Sequence, residues 1–244
     1  MENKLSRLAE FQEVLANYRV SDESKKILTR TKLVLLISVT AGGRNTIIDQ
    51  LLKSGDFHYI ISDTTRHKRV NNGILEQNGR EYWFRSEDEI LADLKAGNFL
   101  EASIIHNQHV SGISIRELKK AHQKGKTAIN EIEIVGMHNI VEACPEAIAI
   151  FVLPPSFEEW MKRLDGRGDM SKAEKKRRLE SAVLEFDAAL NNEYYSFVIN
   201  DDFHKSVNNI IDITEESIDS ETQKKGKELV IKLQAETKNW LENN

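Results

Sequence analysis

Apolar residues recur at helical spacing in Leu5, Leu8, Phe11, Leu15 and Tyr18, with charged residues between them, which predicts an amphipathic helix at the N-terminus. A denser run rich in leucine and β-branched residues follows at 33–38 and reads as a buried strand. The chain then turns at Gly42 and Gly43 and resumes helical spacing in Ile47, Ile48, Leu51 and Leu52, so the local order is strand, loop, helix. Further strands are expected at 59–61, 127–134, 147–153 and 196–199, and a helix at 87–95 that ends near Gly97. A polar stretch holding Gly73 and Gly79 separates the second strand from Tyr82, Trp83 and Phe84. Beyond Ile213 the chain turns polar, and apolar residues return at Leu229, Ile231, Leu233, Trp240 and Leu241, which reads as a linker and a C-terminal helix. Strands alternating with helices place the chain in the α/β class, with a mainly parallel sheet covered on both faces.

Composition narrows the function classes. A length of 244 residues suits one α/β domain with short appendages. The formal charge of −5 leaves no basic excess, which argues against nucleic acid as a partner. The longest apolar stretches, 33–39 and 147–153, fall far short of the roughly 20 residues that cross a bilayer, so no membrane is expected. A single cysteine, Cys144, forms no internal disulfide and no cysteine zinc site. With no secretory pattern in the opening residues, a reducing, cytoplasmic setting is expected.

The segment Ser38-Val39-Thr40-Ala41-Gly42-Gly43-Arg44-Asn45-Thr46 sits where a phosphate-binding loop belongs, between a strand and a helix N-terminus. Against the pattern G-x-x-x-x-G-K-[ST], it has Ser38 for the first glycine, Gly43 in place, Arg44 for the lysine and Asn45 for the metal-binding hydroxyl. Arg44 keeps the cation but as a planar fork. Thr46 stands next in line as a hydroxyl. A glycine turn that merely joins strand to helix satisfies the same pattern.

From about Leu33 to about Ile210 the sequence resembles the guanylate kinases. The resemblance is carried, in register, by Ser62-Asp63-Thr64-Thr65-Arg66-His67-Lys68-Arg69, Asn78-Gly79-Arg80-Glu81-Tyr82-Trp83-Phe84, Gly97-Asn98-Phe99-Leu100-Glu101, Leu153-Pro154-Pro155-Ser156, Arg163-Leu164-Asp165-Gly166-Arg167-Gly168 and Asn200-Asp201-Asp202. It implies a P-loop NTPase-like three-layer sandwich with a mainly parallel sheet, a GMP-binding subdomain and a helical lid. Residues 1–31 are then an N-terminal helical extension, 32–212 the kinase-like domain, and 213–244 the polar linker and C-terminal helix. By the same resemblance Arg66, Arg69 and Tyr82 hold the GMP phosphate, which suits guanidinium forks facing a dianion. Ser62, Glu101 and Glu133 meet the guanine edge, where two N–H donors need acceptors. Arg163, Arg167 and Arg178 belong to the lid and, with Arg44, stabilise charge on the transferred group. Gly42, Gly43, Arg44, Asn45, Thr46, Asn200 and Asp201 face ATP, and magnesium is expected on Asn45 and, through water, Glu131.

The sequence departs from the family in several places. Glutamates stand at 131 and 133 where relatives usually carry aspartates. Val110 and Ser111 replace two adjacent tyrosines, beside an apparent one-residue insertion, with Ser111 left to donate a hydrogen bond to GMP. His106 and His109 read as surface histidines rather than a metal pair. The leading expectation is ATP-dependent phosphorylation of GMP. The rival is a catalytically weak or inactive module that binds GMP or a phosphorylated protein segment, and a third reading is another monophosphate acceptor. The apolar stripes of the terminal helices suit either self-association, a protein partner, or cover for the body of the domain.

Overall fold

The computed structural model describes residues 5–71, 73–166, 168 and 170–244. Helices α1 (Leu8–Ala16) and α2 (Asp22–Leu28) precede strand β1 (Leu33–Ile37), whose residues are all buried, and helix α3 (Arg44–Ser54). Short strands β2 (Phe57–Tyr59), β3 (Asp63–Thr64), β4 (Val70–Asn71), β5 (Ile74–Leu75) and β6 (Trp83–Phe84) lead to helix α4 (Glu87–Lys95). A hairpin of β7 (Phe99–Ile105) and β8 (His109–Ser114) runs into helix α5 (Ile115–Gln123). The remainder is β9 (Thr127–Glu131), α6 (Ile134–Ala143), β10 (Ile148–Leu153), α7 (Phe157–Asp165), α8 (Lys172–Asn191), β11 (Tyr195–Ile199), α9 (Phe203–Thr214) and α10 (Ser220–Asn243).

Two compact units divide these elements. The first unit holds the chain up to Leu33, Gly55–Asn130 and Val135–Ala147. In it β2 pairs in parallel with β9, and a separate sheet runs in the order β6-β3-β8-β7, with β7 at an edge. His106 (φ 50) and Asn107 (φ 57) form the tip of the β7–β8 hairpin, the left-handed pair that a tight two-residue turn requires. Ser86 caps α4 in a capping box with Glu89, which explains why the helix begins where its apolar spacing begins. The N-terminal helix lays Phe11, fully buried, against Ile90, Leu91, Leu94, Phe99 and Val110. Its apolar stripe is therefore covered within the chain.

The second unit holds Val34–Ser54, Glu131–Ile134 and Ile148–Asn244. Strands β11, β10 and β1 lie side by side in parallel, as expected for strands that read as continuous apolar runs. Helices α9 and α10 pack on β11, α3 packs against α9, and α8 against α10. This is the P-loop NTPase-like α/β arrangement, with β1 feeding the loop that opens α3.

Three expectations need correction. The second strand ends at Tyr59 rather than continuing to Ile61, although Ile60 still donates its N–H to Ile129 O at 3.0 Å. The strand expected to reach Ile134 stops at Glu131, and Ile134 opens α6 instead, because an apolar run of that length fits a strand end and a helix start equally well. Past Ile213 the linker is short: α9 runs to Thr214 and α10 begins at Ser220, capped by Asp219, and extends for 24 residues. Its buried side, Val230, Leu233 and Thr237, is narrow, so the segment looks polar overall. Shortening the N-terminal anchor by Phe11→Ala should lower unfolding free energy by about 3–5 kcal/mol; urea denaturation that shows less than about 1 kcal/mol would contradict the packing described.

Candidate functional site

The donor-side loop is built by close packing of backbone. Ser38, buried, donates its hydroxyl to Val152 O at 2.8 Å and so ties the end of β1 to β10. A side chain on Gly42 would meet Ser38 Oγ at 1.8 Å, and one on Gly43, at φ +101, would meet Asn200 Nδ2 at 2.2 Å. A side chain at 42 would displace the Ser38 hydroxyl from Val152, and one at 43 would be strained by its positive φ. Asn200 in turn donates Nδ2–H to Gly42 O at 2.9 Å, and Trp160 Nε1–H donates to Thr40 O at 2.7 Å, so the loop is held from both α7 and the end of β11. The Asn-Asp-Asp stretch thus buttresses the turn through its first residue, while Asp201 is exposed and accepts the Asp202 N–H.

Residues 37–45 of this loop line a cavity of about 260 Å³ together with Ile132, Glu133, Ile134, Arg178 and Glu185. Arg44, the first residue of α3, donates Nη1–H to Ile132 O at 3.5 Å. Arg178 is held by Glu174 through Nε at 2.8 Å. Arg163 lies beside the same loop, bridging Glu159 at 3.0 Å and Asn200 O at 3.2 Å. Arg167 lies outside the described residues. Asn45 is an exposed member of the cavity wall, whereas Thr46, also exposed, lies on α3 outside it. Glu131 ends β9, and Glu133, expected at a guanine edge, lines this donor-side cavity.

The first unit carries the acceptor-side segment. Arg66 is buried and forms a bidentate pair with Glu76, at 2.8 and 3.0 Å, under the rings of Tyr82 at 5.1 Å and Phe84 at 5.6 Å. Glu76 also accepts the Arg69 N–H at 2.8 Å, which bends the segment and leaves the Arg69 side chain exposed. The Arg66 guanidinium, together with the Arg69 N–H and the Asn71 side-chain amide at 3.3 Å, holds the Glu76 carboxyl far below its ordinary range, at about 2. Ser111 Oγ donates to Thr64 Oγ1 at 2.8 Å, within the β3–β8 pairing. Ser62, partly buried, directly precedes β3, and its carbonyl accepts the Trp83 N–H at 2.9 Å. His109 is buried rather than on the surface, and burial with Arg66 and Arg69 nearby lowers its pKa.

The sequence model of the family described as guanylate kinase matches residues 30–217. The chain belongs to the guanylate kinase family. The guanylate kinase of Trichormus variabilis is 36% identical over 177 residues, 72% of this chain and 85% of that one. That of Rhodococcus jostii is 30% identical over 202 residues, covering 82% and 94%. The crystal structure of guanylate kinase from Anaplasma phagocytophilum shares the fold, with a TM-score of 0.54 and 23% identity over 78% of this chain and 88% of that one.

Glu101 stands in a cavity of the first unit, about 340 Å³, whose wall includes Tyr18, Arg19 and Lys25 of the N-terminal extension. Burial pushes its carboxyl up to about 7, against the lowering effect of the Ile113 N–H. Sequence reasoning missed Glu76, Glu185 and Tyr18. Glu76 sits in the polar stretch around Gly73 and Gly79, where nothing in the pattern marks it as buried. Glu185 shares the donor-side cavity; burial and Glu133 raise it to about 7, while Arg44 opposes the rise, and its Oε2 has no hydrogen-bond partner among the described residues.

Because its folded pKa is depressed, Glu76 stabilises the fold fully above the ordinary carboxylate value of 4.5 and loses that contribution as pH falls towards about 2. Glu76→Gln, which strands the buried Arg66 cation, should cost about 3–5 kcal/mol at pH 7. Urea denaturation of both proteins across this range should show the difference shrinking on acidification; a difference that stays constant down to about pH 2.5 would contradict the pairing.

Proposed function

We propose that the protein transfers the γ-phosphoryl group of ATP to GMP, giving ADP and GDP. The observation that supports it most is the donor-side loop: a glycine turn packed on Ser38 and Asn200, lining a cavity together with Arg44 and Arg178. Backbone N–H groups at the start of α3 meet the β and γ phosphates there, and Arg44 supplies the cation that the family pattern assigns to lysine. Phosphoryl transfer asks chiefly for positioning and positive charge, which Arg163 and Arg178 add. The acceptor needs no general base, because the GMP phosphate is already an anionic nucleophile.

On the acceptor side Arg66 has committed both Nη groups to Glu76, so its main work is to hold the segment, and exposed Arg69 presents its guanidinium to the phosphate. Tyr82, stacked edge-on to Phe84, completes that face, and Ser62 and Glu101 are assigned to GMP; the Ser111 hydroxyl, expected as a donor, spends its proton on Thr64 Oγ1 and is left only to accept. Magnesium enters with ATP and offsets phosphate charge. Asn45, Glu133 and Glu185 offer oxygen donors in the cavity, with Glu131 at the end of β9, a donor set that suits a hard cation retaining its waters. A reducing, cytoplasmic location agrees with a single cysteine, Cys144, that is buried.

The test is ADP release from Mg-ATP measured with each nucleoside monophosphate in turn. GMP should give the highest kcat/KM, with AMP, CMP and UMP lower by at least about a hundredfold, the scale set by an edge that pairs specific hydrogen bonds. GMP binding without ADP release would replace this reading by a binding module, and faster turnover with another monophosphate would reassign the acceptor.

A further inference from the structure

We propose that Tyr18, in the N-terminal extension and outside the region matched by the family model, is a positioning residue for Glu101 and thereby part of the acceptor-base site. The proposal rests on GMP as acceptor and on Glu101 as the group that meets guanine.

Strand β7 is the edge of its sheet, so the outer side of its first residues has no neighbouring strand to fix it. Tyr18 takes that place. Its hydroxyl accepts the Phe99 N–H at 2.8 Å and donates to the Phe99 carbonyl at 2.5 Å, serving both backbone groups of one residue. The pairing of β7 with β8 is irregular between Phe99 and Glu101, shifting from Phe99 opposite Ser114 to Glu101 opposite Ile113. An irregularity of this kind re-aims the side chains that follow it, and here the next chemistry-bearing side chain is Glu101. The phenol therefore grips the backbone on the upstream side of the bend that directs the carboxyl.

The extension is fastened elsewhere as well, with Glu87 of α4 accepting the N–H groups of Ser6 and Arg7. Ser21 N–H donates to Gly97 O at 3.0 Å, and Phe11 and Leu5 are buried against Phe99 and Leu94. Its residues also enclose Glu101. Tyr18, Arg19 and Lys25 face the cavity from the extension and Asn139 and Glu142 from α6, while the Ile113 N–H of β8 donates to the Glu101 carboxyl. Burial raises the Tyr18 phenol to about 12, so it keeps its proton, and with it both hydrogen bonds, throughout the working range. The Glu101 carboxyl, at about 7, ionises within that range, and its ionised form is the one that accepts guanine N–H groups. GMP affinity should accordingly rise with pH through neutrality.

Tyr18→Phe in the full chain tests this, because it keeps the ring and removes only the oxygen. The expected result is a rise of about tenfold in KM for GMP, the scale of one lost net hydrogen bond of positioning, with kcat and KM for ATP within about twofold. Phe11→Leu is the packing control: it loosens the same extension without touching the Phe99 hydrogen bonds, and should leave KM for GMP within about twofold while lowering the melting temperature. Glu101→Gln should raise KM for GMP and flatten its pH dependence. An unchanged KM for GMP in Tyr18→Phe, or an equal rise in Phe11→Leu, overturns the positioning role. If Glu101→Gln itself leaves KM for GMP unchanged, the guanine assignment of Glu101 falls, and this proposal with it.

Discussion

The turn between β1 and α3 is held by close packing of its backbone on neighbouring side chains, and the proposed donor site depends on that turn. Gly42 is pressed against Ser38 Oγ and Gly43, at φ +101, against Asn200, so a side chain at 42 would displace the Ser38 hydroxyl and one at 43 would be strained. Ser38 and Trp160 hold the loop from either side, and Arg44 then emerges at the first position of α3 with its guanidinium directed to the cavity wall. The departures from the family pattern, Ser38 and Arg44, are thus parts of a closed set of contacts. Ser38 occupies the place of a glycine because its hydroxyl finds the Val152 carbonyl, which offsets the burial of a polar group.

The acceptor half is governed by a different constraint, the burial of charge. Arg66 is almost fully enclosed, which only a well-placed counter-charge makes tolerable. Glu76 supplies it, and by also taking the Arg69 N–H it sets the conformation from which Arg69 extends outwards. Asp63, completely buried one residue beyond Ser62, repeats the device with Arg116 at 2.7 Å and Arg85 at 3.7 Å, although burial still pushes its carboxyl upward.

Much of this was legible in the sequence, because the relevant signals are local. The β1 run, the glycine turn and the spacing of Ile47, Ile48 and Leu51 define the loop, and the family motifs fall on β3, β7, α7 and the end of β11. What escaped were partnerships between residues distant in sequence or dependent on burial. Glu76 looks like any loop glutamate until Arg66 is seen against it, and Glu185 like any charged position on a long helix until its placement in the donor-side cavity is known. His109 was misread for the same reason: strand β8 turns it inward. Tyr18 fits the helical spacing of the N-terminal apolar residues but lies beyond the end of α1, and only the fold brings its hydroxyl to Phe99, 81 residues away.

The central claim is that donor and acceptor nucleotides are held by separate sets of residues, one in each unit. Separate calorimetric titrations of Mg-ATP and GMP into Arg44→Ala test it most directly. The account predicts that ATP affinity falls at least about tenfold, the loss of one charge-assisted phosphate contact, while GMP affinity stays within about twofold. Unchanged ATP binding, or parallel loss of both nucleotides, would contradict it.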